Sequence, residues 1–301
     1  LSAYVEMSKD ILCGKRVLYW LTLFTVLLAA WPAFSASQST ATLLIAGDVA
    51  QCDQPGAART AALIEKTPGT ILAVGDLAYP NGTRADFARC YAPTWGKFKS
   101  RTLPVPGNHE YTTPHAPAYF DYFGSSAGEP GKGYYSVDKG DWHIVALNSN
   151  IAAGLESDQI NWLQDDLARN HRGCILAFWH HPRFTSGYHA NNPKMAVLWE
   201  TLYAAGASVV VTGHDHDYER FAPMSNTGQR DDKRGIRSFV VGTGGAKLFD
   251  FSTRTEVSEA WNATEWGVLK LELHADGYEW DFLPVAGGNF HDVGSAKCVR
   301  K

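Results

Sequence analysis

The chain has no Cys-x-x-Cys pair, no run of basic residues, no internal repeat and no linker rich in proline or serine. The first absence excludes a cysteine-built zinc site. The second excludes a large nucleic-acid footprint, which needs a basic stripe or patch. Without repeats or linkers, neither a solenoid nor a string of small domains is expected. The glycine-rich stretch Gly242-Thr243-Gly244-Gly245 lacks the Gly-Lys-Ser/Thr ending of a P-loop and the full dinucleotide fingerprint, so it reads as a turn.

What is present is the balance of a globular domain: 301 residues, 45% hydrophobic and 19% charged, with a formal net charge of −4. A single α/β domain of this size buries roughly 75% of the surface its unfolded chain exposes. Residues 1–35 stand apart from that core. Lys15 and Arg16 precede an apolar run from Val17 to Ala30, and small residues follow, which is the order of a secretory signal peptide. Ala33-Phe34-Ser35 places the cut after Ser35, with Ala36 as the alternative. An uncleaved anchor is the competing reading, but the run is short for a span of about 20 residues. Residues 36–41 form a short arm, and an exported domain with no stable membrane span is expected, secreted or periplasmic.

Export gives the cysteines a meaning. Cys13 leaves with the leader, and Cys52, Cys90, Cys174 and Cys298 remain as an even set in an oxidising compartment. Three pairings are open, and free buried thiols are the alternative. The favoured pairing joins Cys52 to Cys90, each early and after a strand motif, and Cys174 to Cys298, which would pin the C-terminal tail, residues 286–301.

Short apolar runs end repeatedly in polar clusters. Thr42 to Ala46 leads into Gly47-Asp48, and Thr70 to Val74 into Gly75-Asp76. Ala57 to Lys66 between them has helical composition, so the chain opens with a βαβ unit. Leu103 to Pro106 leads into Gly107-Asn108-His109-Glu110, Cys174 to Trp179 into His180-His181-Pro182, and Ala207 to Val211 into Gly213-His214-Asp215-His216. Helices are expected over Asp158 to Asn170 and Pro193 to Ala205. From Ile236 onward, strands follow without helices, which implies a second, more antiparallel sheet. Ligands of open α/β sheets lie outside the carboxyl ends of strands, so the polar clusters can meet in one crevice.

Taken singly, these residues have plain structural uses: an Asp after a strand caps a helix, an Asn makes a turn, and Tyr79 packs. In this order the five clusters resemble the metallophosphoesterase signature (the calcineurin-like phosphoesterase superfamily). Tyr79, at Gly-Asp-x-x-Tyr spacing, is similar to the marker of its purple acid phosphatase branch. The resemblance covers residues 42–285 and implies a catalytic domain with a four-layer α/β sandwich, two mixed β-sheets flanked by helices. Because no room precedes Thr42 for the N-terminal β-sandwich of the family's plant members, a short single-domain form is expected.

The resemblance also implies a dinuclear metal centre. Asp76 would bridge the ions, Asp48, Tyr79 and His216 would complete the first site, and Asn108, His180 and His214 the second. Carboxylate and phenolate oxygens suit a hard trivalent ion, and an amide with two imidazoles suits a divalent one, so Fe(III) with Fe(II), Zn(II) or Mn(II) is expected. A hydroxide on the metals would attack a phosphate monoester, as in an acid phosphatase. Asn108, His109, His181 and His189 would contact substrate, and His109 and His189 are the candidates for protonating the leaving group. The nearest alternatives are a phosphodiesterase or nucleotidase on the same metal core, and a secreted metal-binding protein without catalysis. The partner the resemblance implies is a small-molecule phosphate ester. His115, His143, His171, His274 and His291 match no motif and read as surface or packing residues, and Trp95 and Trp179 read as core.

Overall fold

The computed structural model describes residues 41–251 and 253–299. The leader and its cleavage site, with Cys13, fall outside that range. Among the described residues no helix is long and apolar enough to cross a membrane.

Two mixed sheets carry the fold. In the first, β1 (Ala41–Ala46), β2 (Thr70–Val74) and β3 (Thr102–Val105) run parallel, and β11 (Gly267–Leu273), β12 (Gly277–Pro284) and β13 (Val293–Lys297) extend the sheet antiparallel from β1. In the second, β5 (Trp142–Ala146), β6 (Cys174–Phe178), β7 (Val209–Thr212) and β9 (Arg237–Val241) run parallel. They are flanked by β4 (Tyr135–Lys139) at one edge and by β8 (Tyr218–Phe221) and β10 (Ser258–Asn262) at the other.

The expected partition of strands is therefore corrected. The strands after Ile236 do not make the second sheet. β9 joins the sheet of β7, while β11 to β13 return to the first sheet beside β1. Hydrophobic pattern shows that a segment is a strand, but it carries no record of its neighbour. The sheet also runs past residue 285, because β13 pairs with β12 and Cys298 follows it directly.

Side-chain alternation explains the layering. Trp142, Ile144, Ala146, Leu176, Phe178, Val209 and Val211 face the core shared with the first sheet. Val145, Ile175, Ala177 and Val210 face the opposite way, onto Ile160, Leu163 and Leu167 of α4 (Asp158–Arg169) and Leu198 and Leu202 of α5 (Ala196–Ala205). The three- and four-residue spacing in α4 is the signature of one buried helix face, and Ser157 caps the helix by accepting the Ile160 N–H. On the first sheet, α1 (Gly56–Lys66) buries Ala57, Ala61 and Ile64 in the same way. Trp95 and Trp179 are core residues, 1% and 0% exposed. Disulfides join Cys52 to Cys90 and Cys174 to Cys298, with Cα separations of 5.2 and 5.6 Å.

Candidate metal centre

Every polar cluster sits just beyond the carboxyl end of a parallel strand: Asp48 after β1, Asp76 after β2, Asn108 after β3, His180 after β6 and His214 after β7. The chain has to turn sharply there. Asp48, Asp76 and His214 have φ of 57°, 51° and 71°, the left-handed region that residues with a Cβ seldom enter. Such strain persists only where the surroundings fix it, and it clusters at functional sites. Glycine supplies the clearance. A Cβ on Gly213 would lie 2.6 Å from Asp48 Oδ2, and one on Gly107 would collide with Asp76 Oδ1.

The side chains then meet. Tyr79 Oη lies 3.0 Å from Asp48 Oδ1, 3.3 Å from Asp76 Oδ2 and 3.0 Å from His216 Nε2. His216 Nε2 is itself 3.3 Å from Asp48 Oδ1. On the other side, His180 Nε2 is 3.3 Å from Asp76 Oδ2 and 3.1 Å from Asn108 Oδ1. Asp76 thus stands between two sets of donors. Backbone carbonyls orient the imidazoles: His180 Nδ1 donates to Val74 O at 2.9 Å and His216 Nδ1 to Lys247 O at 2.6 Å, which turns each Nε2 inward.

These contacts fit cation ligation. Asp48 and Asp76 are 0% and 1% exposed, and among the described residues no lysine or arginine pairs with either. Burial opposes the Asp76 charge, but His180 and His109 hold its pKa well below the usual carboxylate range. Burial and the charges of Asp48 and Asp76 push the Tyr79 phenol well above its ordinary value. Burial and the neighbouring His180, His181 and His189 push His214 down, and burial with His180 pushes His181 down to about 3. Against the cost of burial, Asp76 pushes the His180 pKa up to about 9 and Asp48 raises that of His216, so the imidazoles carry the balancing charge. Two buried carboxylates, a phenol and imidazoles packed without a lysine or arginine are the donor set that a pair of cations satisfies. Ligand atoms of Asp48, Asp76 and His180 lie within 4.8 Å of one another, as do those of His180, His181 and His214.

Several residues that sequence reasoning left without a role hold this arrangement. The buried Glu110 carboxylate accepts the N–H groups of Asp76 (3.0 Å) and Gly107 (2.8 Å) on one oxygen, and of Leu77 (2.9 Å) and Ala78 (3.2 Å) on the other. It ties the loop after β2 to the loop after β3. Burial and Asp76 push its pKa up to about 7 against those N–H groups. Ser149 follows β5, a strand the sequence reading missed, and its Oγ lies 2.8 Å from His181 Nδ1. The signal was available, since Trp142 to Leu147 is another apolar run ending in a polar cluster, Asn148-Ser149-Asn150. Asp215 accepts both the backbone N–H (2.8 Å) and Nδ1 (3.1 Å) of His189, with Thr185 Oγ1 on its other oxygen at 2.6 Å.

The centre opens into a cavity of about 550 Å³ lined by Asp76, Tyr79, Asn108, His109, His189, His214 and His216, with Arg89, Lys247 and Phe249 among the other lining residues. His109 packs its ring on Tyr79 at 4.4 Å, and its N–H donates to Asp76 Oδ1 at 2.8 Å. The His189 ring lies 4.1 Å from that of His214 and Phe249 stacks on His216 at 4.4 Å. His181 is not among the cavity-lining side chains; it packs against His180 and His214. His143 is buried between Asp138 and Asp166, is not among the residues lining this cavity, and braces β4, β5 and α4.

Strand-end ligand loops on two facing mixed sheets define a phosphoesterase scaffold. Residues 27–218 match the calcineurin-like phosphoesterase family, and the chain belongs to it. Within that family it is similar to purple acid phosphatases. It is 30% identical over 220 residues to purple acid phosphatase 15 of Arabidopsis thaliana, covering 61% of this chain and 41% of that protein. To the purple acid phosphatase of Glycine max it is 26% identical over 272 residues, covering 71% and 57%. The chain thus spans about half the length of these relatives. Its fold is similar to that of a purple acid phosphatase from yellow lupin (Lupinus luteus) seeds, with a TM-score of 0.73 at 19% identity over 86% of this chain and 54% of that one. It is also similar to GAP50, the anchor in the inner membrane complex of Plasmodium, with a TM-score of 0.66 at 15% identity over 88% and 90%.

Proposed function

We propose that this protein hydrolyses phosphate monoesters in the manner of an acid phosphatase, with two metal ions held at the strand ends. Asp48, Tyr79 and His216 would hold the first, Asn108, His180 and His214 the second, and Asp76 would serve both. The observation that carries the reading is the Tyr79 hydroxyl set between two buried carboxylates, with an amide and imidazoles closing the other side of Asp76. Fe(III) with Fe(II), Zn(II) or Mn(II) suits these donors. Two such ions supply Lewis acidity, a water of lowered pKa and neutralisation of phosphate charge.

The protein's own groups do the rest. Asp215 holds His189 by the ring Nδ1 and the backbone, so its Nε2 is free to meet the ester oxygen that leaves. His109, fixed by Pro80 O at 2.5 Å and by Asp76, presents its ring to the same cavity as a donor to phosphoryl oxygens. A cavity of about 550 Å³ accommodates a small-molecule ester. Two disulfides and the leader read from the sequence support a secreted or periplasmic location.

The test is turnover of p-nitrophenyl phosphate against bis(p-nitrophenyl) phosphate by protein loaded with iron and zinc. Monoester turnover that is faster, and lost in Asp76→Asn, is expected. Faster diester turnover would reassign the activity, and metal uptake with neither turnover would make this a binding protein.

A further inference from the structure

His181 was expected to touch substrate, yet it is not among the residues that line the cavity. His180, His181 and His214 each bring a ring nitrogen within 4.8 Å of the other two. Their ring centroids are 4.9, 4.4 and 5.0 Å apart, His180 to His181, His181 to His214 and His180 to His214. Ligands of one ion need this proximity, since two nitrogens at about 2.0–2.1 Å from a zinc ion cannot be much more than 4 Å apart.

The orientation of His181 is set from outside the cluster. Ser149 Oγ lies 2.8 Å from its Nδ1 and also accepts its backbone N–H at 3.1 Å. That leaves Nε2 as the ring nitrogen without a hydrogen-bond partner among the described residues. His180 has the same design, with Val74 O on Nδ1 and Nε2 turned to the centre. A hydrogen bond on the outer nitrogen that directs the inner one is how ligating imidazoles are held.

We infer that His181 is a further protein donor to the second metal position, beside Asn108, His180 and His214. This rests on the dinuclear reading above and refines it. Three imidazoles make the position nitrogen-rich, which favours zinc or iron(II) over manganese or magnesium.

The test uses the full chain stripped of metal by chelation and titrated with zinc in a calorimeter. His181→Ala is expected to weaken zinc binding at one of two sites by about tenfold or more, and Ser149→Ala by a smaller factor. The preference for zinc over manganese should narrow in His181→Ala. Because a substitution here could disturb folding, zinc-edge X-ray absorption on the wild-type protein with only the second position filled gives an independent count, and three imidazoles are expected. Wild-type zinc affinity in His181→Ala, alongside a loss in His214→Ala, or a count of two imidazoles, would overturn the inference and leave the dinuclear reading standing. Failure of the wild-type chain itself to take up zinc or iron would overturn both.

Discussion

The Glu110 carboxylate lies directly beneath Asp76, accepting its backbone N–H at 3.0 Å, and the same oxygen accepts the Gly107 N–H at 2.8 Å. One acidic side chain therefore sets the distance between the loops that carry Asp76 and Asn108. Glu110→Gln keeps the shape but exchanges one acceptor oxygen for an amide that cannot accept. Two buried N–H groups lose their partner, at about 1–3 kcal/mol each. A lower urea midpoint and reduced metal content per folded chain are expected. Unchanged values for both would show that the loops hold their spacing without Glu110.

Gly107→Ala probes the same junction from the other side. A Cβ there collides with Asp76 Oδ1, and the carboxylate cannot move without leaving Tyr79 and His180. Loss of metal binding by equilibrium dialysis is expected, with far-UV circular dichroism retained. Gly154→Ala, where the backbone is likewise not at positive φ and the added Cβ would meet nothing within 4 Å, serves as a control for glycine replacement.

Tyr79 tests the identity of the first ion. A phenol pushed well above its ordinary pKa by burial and two carboxylates ionises only beside a strong positive charge. Iron-loaded protein should therefore show a visible phenolate-to-Fe(III) absorption band, and Tyr79→Phe should lack it. A colourless wild-type protein that is iron-free and fully active would remove iron from the proposal.

The His143 clamp gives a pH dependence away from the centre. Burial pushes its pKa down, but hydrogen bonds to Asp166 at 2.7 Å and Asp138 at 2.9 Å more than reverse this, so the net shift is upward from 6.5. A raised folded value means the pairing contributes fully below the unfolded pKa and is lost as pH rises through the folded one. The urea midpoint of wild type relative to His143→Gln should thus be most favourable below the ordinary value of 6.5, and the advantage should shrink as pH rises above it. A difference that stays constant across this range would leave the charged pairing without a role.

Cys174 and Cys298 lie 124 residues apart in sequence and join the start of β6 to the chain just after β13. Replacing both by alanine should destabilise the fold by about 2–5 kcal/mol, read from denaturant unfolding. Hydrolysis per folded molecule should be unchanged, because neither cysteine approaches the cavity. Reduced turnover at full folding would instead link this tether to the site.

The sequence by itself determined the local grammar: which runs are buried strands, that Gly47-Asp48, Gly75-Asp76 and Gly213-His214 close them, and which carboxylate, amide and imidazole groups stand at those turns. These are readable because burial, turning and ligand chemistry each restrict the residue at its own position. Only the tertiary structure decided that the sheet of β11 to β13 joins β1, that Glu110 joins two loops, and that His181 packs against His214. Those relations depend on which distant segments share a surface. Packing free energy is a sum over such contacts and is indifferent to their separation along the chain, so no single stretch of residues records it.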